Sequence, residues 1–115
     1  MKRVSQTTQF FRDVKRMRKR GKDLGKLQEV VRLLAAGVAL PPKHRDHPLV
    51  GPWAPVRDCH VEPDWILIYT ADSESLRLER TGTHADLLLM PPSAFSVQPP
   101  QYPGWLDVKP VEQKP

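Results

Sequence analysis

The chain has 115 residues, of which 39% are hydrophobic and 27% are charged, a composition that allows one small domain with a modest core. Its single cysteine, Cys59, excludes an internal disulfide framework and favours a reducing compartment. The basic N-terminus is not followed by the apolar stretch of a signal peptide, and no apolar run is long enough to span a bilayer. We therefore expect a cytoplasmic protein that does not act at a membrane.

The first third of the chain predicts a short strand and two helices. The stretch "RVSQT" is compatible with an edge strand. An apolar stripe at helical spacing precedes Gly21 and consists of Phe10, Phe11, Val14 and Met17. A second stripe precedes Gly37 and consists of Leu24, Leu27, Val30, Val31 and Leu34. Both stripes indicate helix faces that pack against a core.

Positive charge is concentrated in the same segment. Residues 1–32 contain eleven Lys or Arg and three acidic residues, a balance of +8, whereas the rest has seven basic and ten acidic residues, a balance of −3. Such a helix face fits contact with RNA, with an acidic protein or with a membrane surface, and it also fits a solvated face. The residues that we consider for RNA binding are Lys15, Arg16, Arg18, Lys19 and Arg20.

The middle of the chain predicts a small antiparallel sheet. Residues 40–55 are rich in proline, so we expect an irregular surface connection there. Of the three strand-like segments that follow, "VRDCHVE" and "SLRLERT" alternate, whereas "WILIYT" between them is almost wholly apolar and is typical of a central strand. Pro63 with Asp64 and the stretch "ADSE" mark two hairpin turns. The pattern predicts an α+β fold, with two N-terminal helices packed on one face of the sheet.

Proline becomes dense again from residue 91 onward. This composition predicts a domain at 1–90 followed by an extended or disordered tail at 91–115. The side chains through which the tail could dock on the domain or on a partner are Phe95, Tyr102, Trp105 and Leu106.

Polar residues gather near the ends of the predicted strands. His60 and Asp64 lie on either side of the first turn, Arg80 and His84 flank "TGT" after the third strand, and His47 lies in the proline-rich connection. Neighbouring antiparallel strands can bring these residues to one end of the sheet. The sequence therefore predicts a cleft with several imidazoles, one carboxylate and one guanidinium.

This set of side chains suits metal-free RNA cleavage. Histidine can take a proton from a ribose 2′-OH or return one to the 5′-oxygen that leaves, near neutral pH. Arg80 can oppose the charge that develops on the phosphate, and Trp65 offers a face for base stacking. We expect neither a cofactor nor a metal.

Other interpretations of these residues stay open. We interpret His44 as a surface or hydrogen-bonded structural residue, and Trp65 fits the core as well as it fits a base. Zinc would need His44, His47 and Cys59, but Cys59 and His60 point to opposite faces of a strand and no second cysteine completes a ligand set.

Three linked motifs, "DHPLVGPW", "RDCHVEPDWILIY" and "LERTGTHADLL", resemble the YafQ branch of the RelE/ParE superfamily of bacterial toxin-antitoxin toxins. The resemblance covers roughly residues 3–89. It implies a RelE-like fold and a ribosome-dependent endoribonuclease that cuts translated mRNA and is neutralised by a cognate, small acidic antitoxin. It implies active-site roles for His47, His60, Asp64, Arg80 and His84, with Trp65 also matching the pattern.

Two departures keep a second class of function open. Members of this family commonly carry an aromatic residue soon after the last histidine, where this chain has Leu87, Leu88 and Leu89, and Pro55 replaces a common glycine. The altered aromatic position and the proline-rich tail at 91–115 leave open a catalytically degenerate RelE/ParE module that only binds an antitoxin. The three imidazoles around an arginine favour the enzyme.

Overall fold

Three α-helices and a five-stranded sheet form in the part of the chain that the computed structural model describes, residues 1–49, 55–87 and 103–107. In chain order the elements are β1 (Arg3–Gln6), α1 (Thr8–Lys19), α2 (Leu24–Ala35), β2 (His47–Pro48), β3 (Arg57–Glu62), β4 (Trp65–Ala71), β5 (Ser75–Gly82) and α3 (His84–Leu87). Single 3-10 turns occur at Pro42–His44 and Gly104–Leu106. The two predicted helices and the three-stranded meander are confirmed, and β2 and α3 are additional.

The boundaries of α1 and α2 follow from local chemistry. The Thr7 hydroxyl accepts a hydrogen bond from the Phe10 amide at 2.9 Å, and the Asp23 carboxylate caps α2 in the same way. Gly21 and Gly37 follow the helices with φ of 83° and 72°, a left-handed conformation that favours glycine and ends a helix. No helix in the described ranges combines the length and the apolar character needed to cross a membrane.

The strands are ordered β1-β5-β4-β3-β2. β3, β4 and β5 pair antiparallel, whereas β1 pairs parallel with β5, with Arg3 opposite Ser75. The predicted antiparallel sheet is confirmed for β3, β4 and β5, and β1 adds one parallel pairing at the edge. A strand that is separated from its neighbour by intervening elements can return to the sheet in the same direction.

Each face of the sheet carries its own apolar cluster. The larger cluster lies under α1 and α2 and includes Met17, Leu27, Leu67 and Leu78. The second lies on the opposite face and consists of Val56, Ile66, Ile68 and Leu87, with Leu49 packed against it. Phe11 is 37% exposed, because the face of α1 on which it lies points to solvent.

Residues 103–107, which we call the C-terminal clasp, pack against the domain. Trp105 and Leu106 are buried in the larger cluster, with the Trp105 ring 5.8 Å from that of Phe10. The Trp105 indole donates to the Gln6 side chain, and the Gln28 amide donates to the Trp105 carbonyl, both at 2.7 Å. Within the predicted tail at 91–115, Trp105 and Leu106 dock on the domain, as two of the side chains considered for docking; Phe95 and Tyr102 lie outside the described residues.

Candidate active site

The face of the sheet opposite the helices carries the polar residues that the motifs single out. His60 on β3 lies opposite Ile66 on β4, and Asp58 lies opposite Ile68. Ile68 in turn pairs with Arg80 on β5. Because residues directly opposite each other in a sheet point to the same face, Asp58, His60 and Arg80 rise from one surface around an isoleucine floor.

His84 begins α3 and is held by Asp64 from the β3–β4 turn. Its backbone amide donates to Asp64 Oδ1 at 3.0 Å, and its Nδ1 lies 2.6 Å from the same oxygen. These hydrogen bonds keep the pKa of Asp64 below its ordinary value. An Nδ1–H that donates to a carboxylate leaves Nε2 as the nitrogen available to a substrate.

The rings of His60 and His84 form a close pair. Their centroids are 5.5 Å apart, with the planes inclined at 63°. The carbonyl oxygen of His60 accepts a hydrogen bond from Nδ1 of His44 at 2.6 Å. His44 therefore holds β3 in place, which confirms its interpretation as a hydrogen-bonded structural residue.

His47 reaches the same face through the short strand β2, where it lies opposite Asp58. Its Nδ1 donates to the Arg45 carbonyl oxygen at 2.6 Å and lies 3.5 Å from Asp58 Oδ1. The preceding Asp46 accepts a hydrogen bond from the Tyr69 hydroxyl at 2.5 Å. Tyr69 is buried, so the connection that carries His47 is tied to the core.

Asp58 lies among the candidate site residues, although the sequence interpretation did not include it. Burial raises the pKa of its carboxyl group, and the imidazoles of His47, His60 and His84 oppose that rise. All three imidazoles therefore lie close enough to Asp58 to interact with its charge. The alternation of "RDCHVE" was the available signal, because it places Asp58 on the same face as His60.

Arg80 is fixed by a carboxylate from α1. Its Nε and Nη2 donate to Asp13 Oδ2 and Oδ1 at 2.6 and 3.2 Å. Asp13 is fully buried and also accepts from the Thr81 amide. The arginine is thus held in one orientation by a two-point ion pair, a contact that joins residues 67 positions apart.

Trp65 does not lie on this face. It is fully buried, belongs to the cluster under the helices, and donates from its indole nitrogen to the Thr81 hydroxyl at 2.9 Å. The expectation that Trp65 stacks on an RNA base is wrong, because no face of the ring is accessible.

The basic residues of α1 have different surroundings. Lys15, Arg18 and Lys19 are exposed, and the Lys15 ammonium lies 4.4 Å from the centre of the Phe11 ring. Arg16 pairs with Asp13, and Arg20 pairs with Asp86 at 2.6 Å. The exposed cations remain candidates for RNA contact.

The arrangement of the potential metal ligands does not match a metal site in the described residues. Within the described ranges, no group of three or more His, Cys, Asp or Glu residues could hold a metal ion. Cys59 is buried in the cluster under the helices, on the side opposite His60. Burial raises the pKa of its thiol, which disfavours the thiolate that binds zinc.

The family model described as bacterial toxin of type II toxin-antitoxin system, YafQ, matches residues 2–89. The chain belongs to the YafQ toxin family. It is 49% identical over 85 residues to the mRNA interferase toxin YafQ of Escherichia coli strain K12, a match that covers 73% of this chain and 92% of that protein.

Solved structures agree with membership of the YafQ family. The structure is similar to a chain of the E. coli DinJ-YafQ toxin-antitoxin complex, with a TM-score of 0.71, 48% identity and coverage of 75% of this chain and 96% of that chain. It is also similar to a metal-bound toxin from Helicobacter pylori, with a TM-score of 0.71, 38% identity and coverage of 76% and 99%. The α+β, RelE-like fold expected from the motifs is confirmed.

The YafQ match ends before the C-terminal clasp, and Leu87 lies near its end. Leu87 is buried against Ile66 and Ile68, so it helps to form the floor of the face and does not offer a surface for stacking. Leu88 and Leu89 lie outside the described residues, and Pro55 is exposed.

Proposed function

We propose that the chain is the toxin of a type II toxin-antitoxin system and acts as an mRNA interferase, a ribosome-dependent endoribonuclease that cleaves translated mRNA by metal-free acid-base catalysis. The observation that carries the proposal is the pair of imidazoles 5.5 Å apart, His60 and His84, with Asp64 bonded to Nδ1 of His84. Two positioned proton-transfer groups are what cleavage through the ribose 2′-OH requires.

In the proposed reaction one imidazole takes the proton of the 2′-OH and the 2′-oxygen attacks the adjacent phosphorus. The bond from phosphorus to the 5′-oxygen breaks, and the second imidazole returns a proton to that oxygen. Asp64 orients His84 through the hydrogen bond to Nδ1, and Arg80 opposes the charge on the phosphoryl oxygens. His47 lies beside Asp58 at the edge of the same face and is the third imidazole of the proposed site.

The openness of the site fits a polymeric substrate. The side chains of His47, Asp64 and His84 are 51%, 67% and 57% exposed, whereas sites for small molecules enclose most of the ligand. An exposed site by itself holds its substrate in a fixed position only weakly. A ribosome that presents mRNA in a fixed pose would provide this positioning. The exposed Lys15, Arg18 and Lys19 are suitable contacts to ribosomal RNA.

A cognate antitoxin is the second proposed partner. A relative 48% identical to this chain has been solved in a toxin-antitoxin complex, and the net charge of +5 favours an acidic partner. Coexpression with the proposed acidic antitoxin should relieve the growth inhibition that the chain causes, and the two proteins should copurify.

The proposal is tested by comparing the wild type with His84→Ala, both induced in a bacterial host, while 5′ ends of a translated reporter mRNA are mapped by primer extension. We expect new cuts with the wild type and none with His84→Ala. Glu74→Gln, which changes an exposed residue at the other end of the sheet, is the matched control and should cut normally. Absence of cuts with folded wild type would favour the module that only binds an antitoxin.

A further inference from the structure

The junction, by which we mean residues 20–26, comprises the connection between α1 and α2 and the first turn of α2. Its cations contact the segments that carry His84 and Asp64. Arg20 contacts Asp86 in α3, two residues after His84. Lys22 and Lys26 contact Glu62, the last residue of β3, which leads into the turn between β3 and β4. These ion pairs connect the junction to two turns that lie far away in the sequence.

The contact with Asp86 acts on the turn that bears His84. Arg20 Nη1 and Nη2 donate to Asp86 Oδ2 and Oδ1 at 2.6 and 3.0 Å. Asp86 Oδ2 also accepts from the Thr83 amide at 2.9 Å, while the Thr83 hydroxyl accepts from the Asp86 amide at 3.2 Å. This reciprocal pair is a capping box, and Arg20 fixes the carboxylate that closes it.

The contacts with Glu62 act on the turn that bears Asp64. Lys22 and Lys26 reach the two carboxylate oxygens of Glu62 at 3.0 and 2.8 Å. The strand pairing shifts register between His60 and Glu62, so the local ladder alone leaves this turn less constrained. Two cations from the junction supply a second point of attachment.

We propose that Arg20 is a positioning residue of the active site, acting through Asp86 on His84, and that the junction serves the β3–β4 turn in the same manner through Glu62. The proposal rests on the proposed function. Arg20 and Asp86 are 42% and 16% exposed, and exposed pairs contribute little to global stability. Their main effect is therefore on the position of a short turn, in which a displacement of about 1 Å can lower a rate by around 10²-fold.

The competing role for Arg20 is direct contact with ribosomal RNA. Substitutions of Asp86 distinguish this role from the positioning role. Loss of the Asp86 carboxylate removes the contact with Arg20, whereas the positive charge of Arg20 stays and is no longer balanced by this carboxylate. If Arg20 positions His84, both Arg20→Ala and Asp86→Ala lower the cleavage rate constant. If Arg20 binds RNA, Arg20→Ala weakens ribosome binding, and Asp86→Asn, which keeps an acceptor for the Thr83 amide, leaves the rate at saturation unchanged.

The experiment measures single-turnover cleavage of mRNA on programmed ribosomes over a range of ribosome concentrations, for Arg20→Ala, Asp86→Ala and the double variant. We expect each single change to lower the rate at saturation by roughly 10- to 100-fold, with no further loss in the double variant and no change in the half-saturating concentration. Arg20→Lys should recover part of the rate. Arg18→Ala is the matched control and should alter the half-saturating concentration only.

Three outcomes would overturn the proposal: a wild-type rate for Asp86→Ala, additive losses in the double variant, or an Arg20→Ala defect confined to ribosome binding. Asp86→Asn keeps an acceptor for the Thr83 amide, so it tests the ion pair without loss of the helix cap. Its cleavage rate should fall less than that of Asp86→Ala. Failure of the proposed function is distinguishable, because it would appear as wild type that does not cleave and does not differ from His84→Ala.

Discussion

Replacement of Trp105 by alanine tests whether the C-terminal clasp is part of the folded domain. The indole is 8% exposed, lies 5.8 Å from the Phe10 ring and bonds to Gln6. Truncation of a buried tryptophan that stays in place costs about 3–5 kcal/mol. Here the clasp can detach, which returns about 1–2 kcal/mol of backbone entropy for each released residue. The loss of stability caused by Trp105→Ala therefore cannot exceed the net free energy with which the clasp docks on the domain.

We expect Trp105→Ala to lower the free energy of unfolding by about 2–4 kcal/mol, given the large area that an aromatic ring buries and the hydrogen bonds that it orients. For a domain of this size each kcal/mol corresponds to roughly 4–8 °C in Tm. Urea and thermal unfolding would be followed in a His84→Ala background, which avoids toxicity. A chain that ends at residue 102 should lose about as much stability as Trp105→Ala.

The matched control for this measurement is Phe11→Ala, because Phe11 is an aromatic residue that is 37% exposed. It should change stability by no more than about 0.5 kcal/mol, as is usual for surface substitutions. If Trp105→Ala and the truncated chain both unfold like the wild type, the clasp contributes nothing and the argument for its docking is refuted.

Three further predictions follow from single contacts. Asp64→Asn should lower cleavage by roughly 10²-fold, since the charge that orients His84 is lost; a normal rate on programmed ribosomes would remove Asp64 from the mechanism. Trp65→Phe should cost about 1–3 kcal/mol through the lost bond to Thr81 yet cleave normally at saturation, and a folded variant that fails to cleave would contradict the core assignment. A guanidinium hydrogen bond lowers the pKa of Asp86, so its stabilisation is complete above an unfolded pKa of about 3.9 and is lost as the pH falls towards the folded value. Asp86→Asn should therefore make the free energy of unfolding depend less on pH on the acid side. If urea titrations at several pH values below 5 show the same pH dependence for Asp86→Asn and the wild type, the ion pair is contradicted.

The elements of this fold were predictable because their signals are local. Helical spacing and a following glycine predicted both α1 and α2. Alternation predicted β3 and β5, and an almost wholly apolar run predicted β4. The same motifs identified His60, Asp64 and His84, which the structure brings together because antiparallel neighbours share an end of the sheet. Periodicity and turn chemistry act within a few residues, so they can be read along the chain.

Contacts between distant segments were decided only by the tertiary structure. No local pattern shows that Asp13 holds Arg80, that Arg20 reaches Asp86, or that Trp105 completes the core. Trp65 begins an apolar strand whose two faces are equivalent in the sequence, and packing under the helices placed it in the core. Hydrophobic burial has no direction, so which apolar side is covered, and by which segment, depends on the shape of the assembled domain.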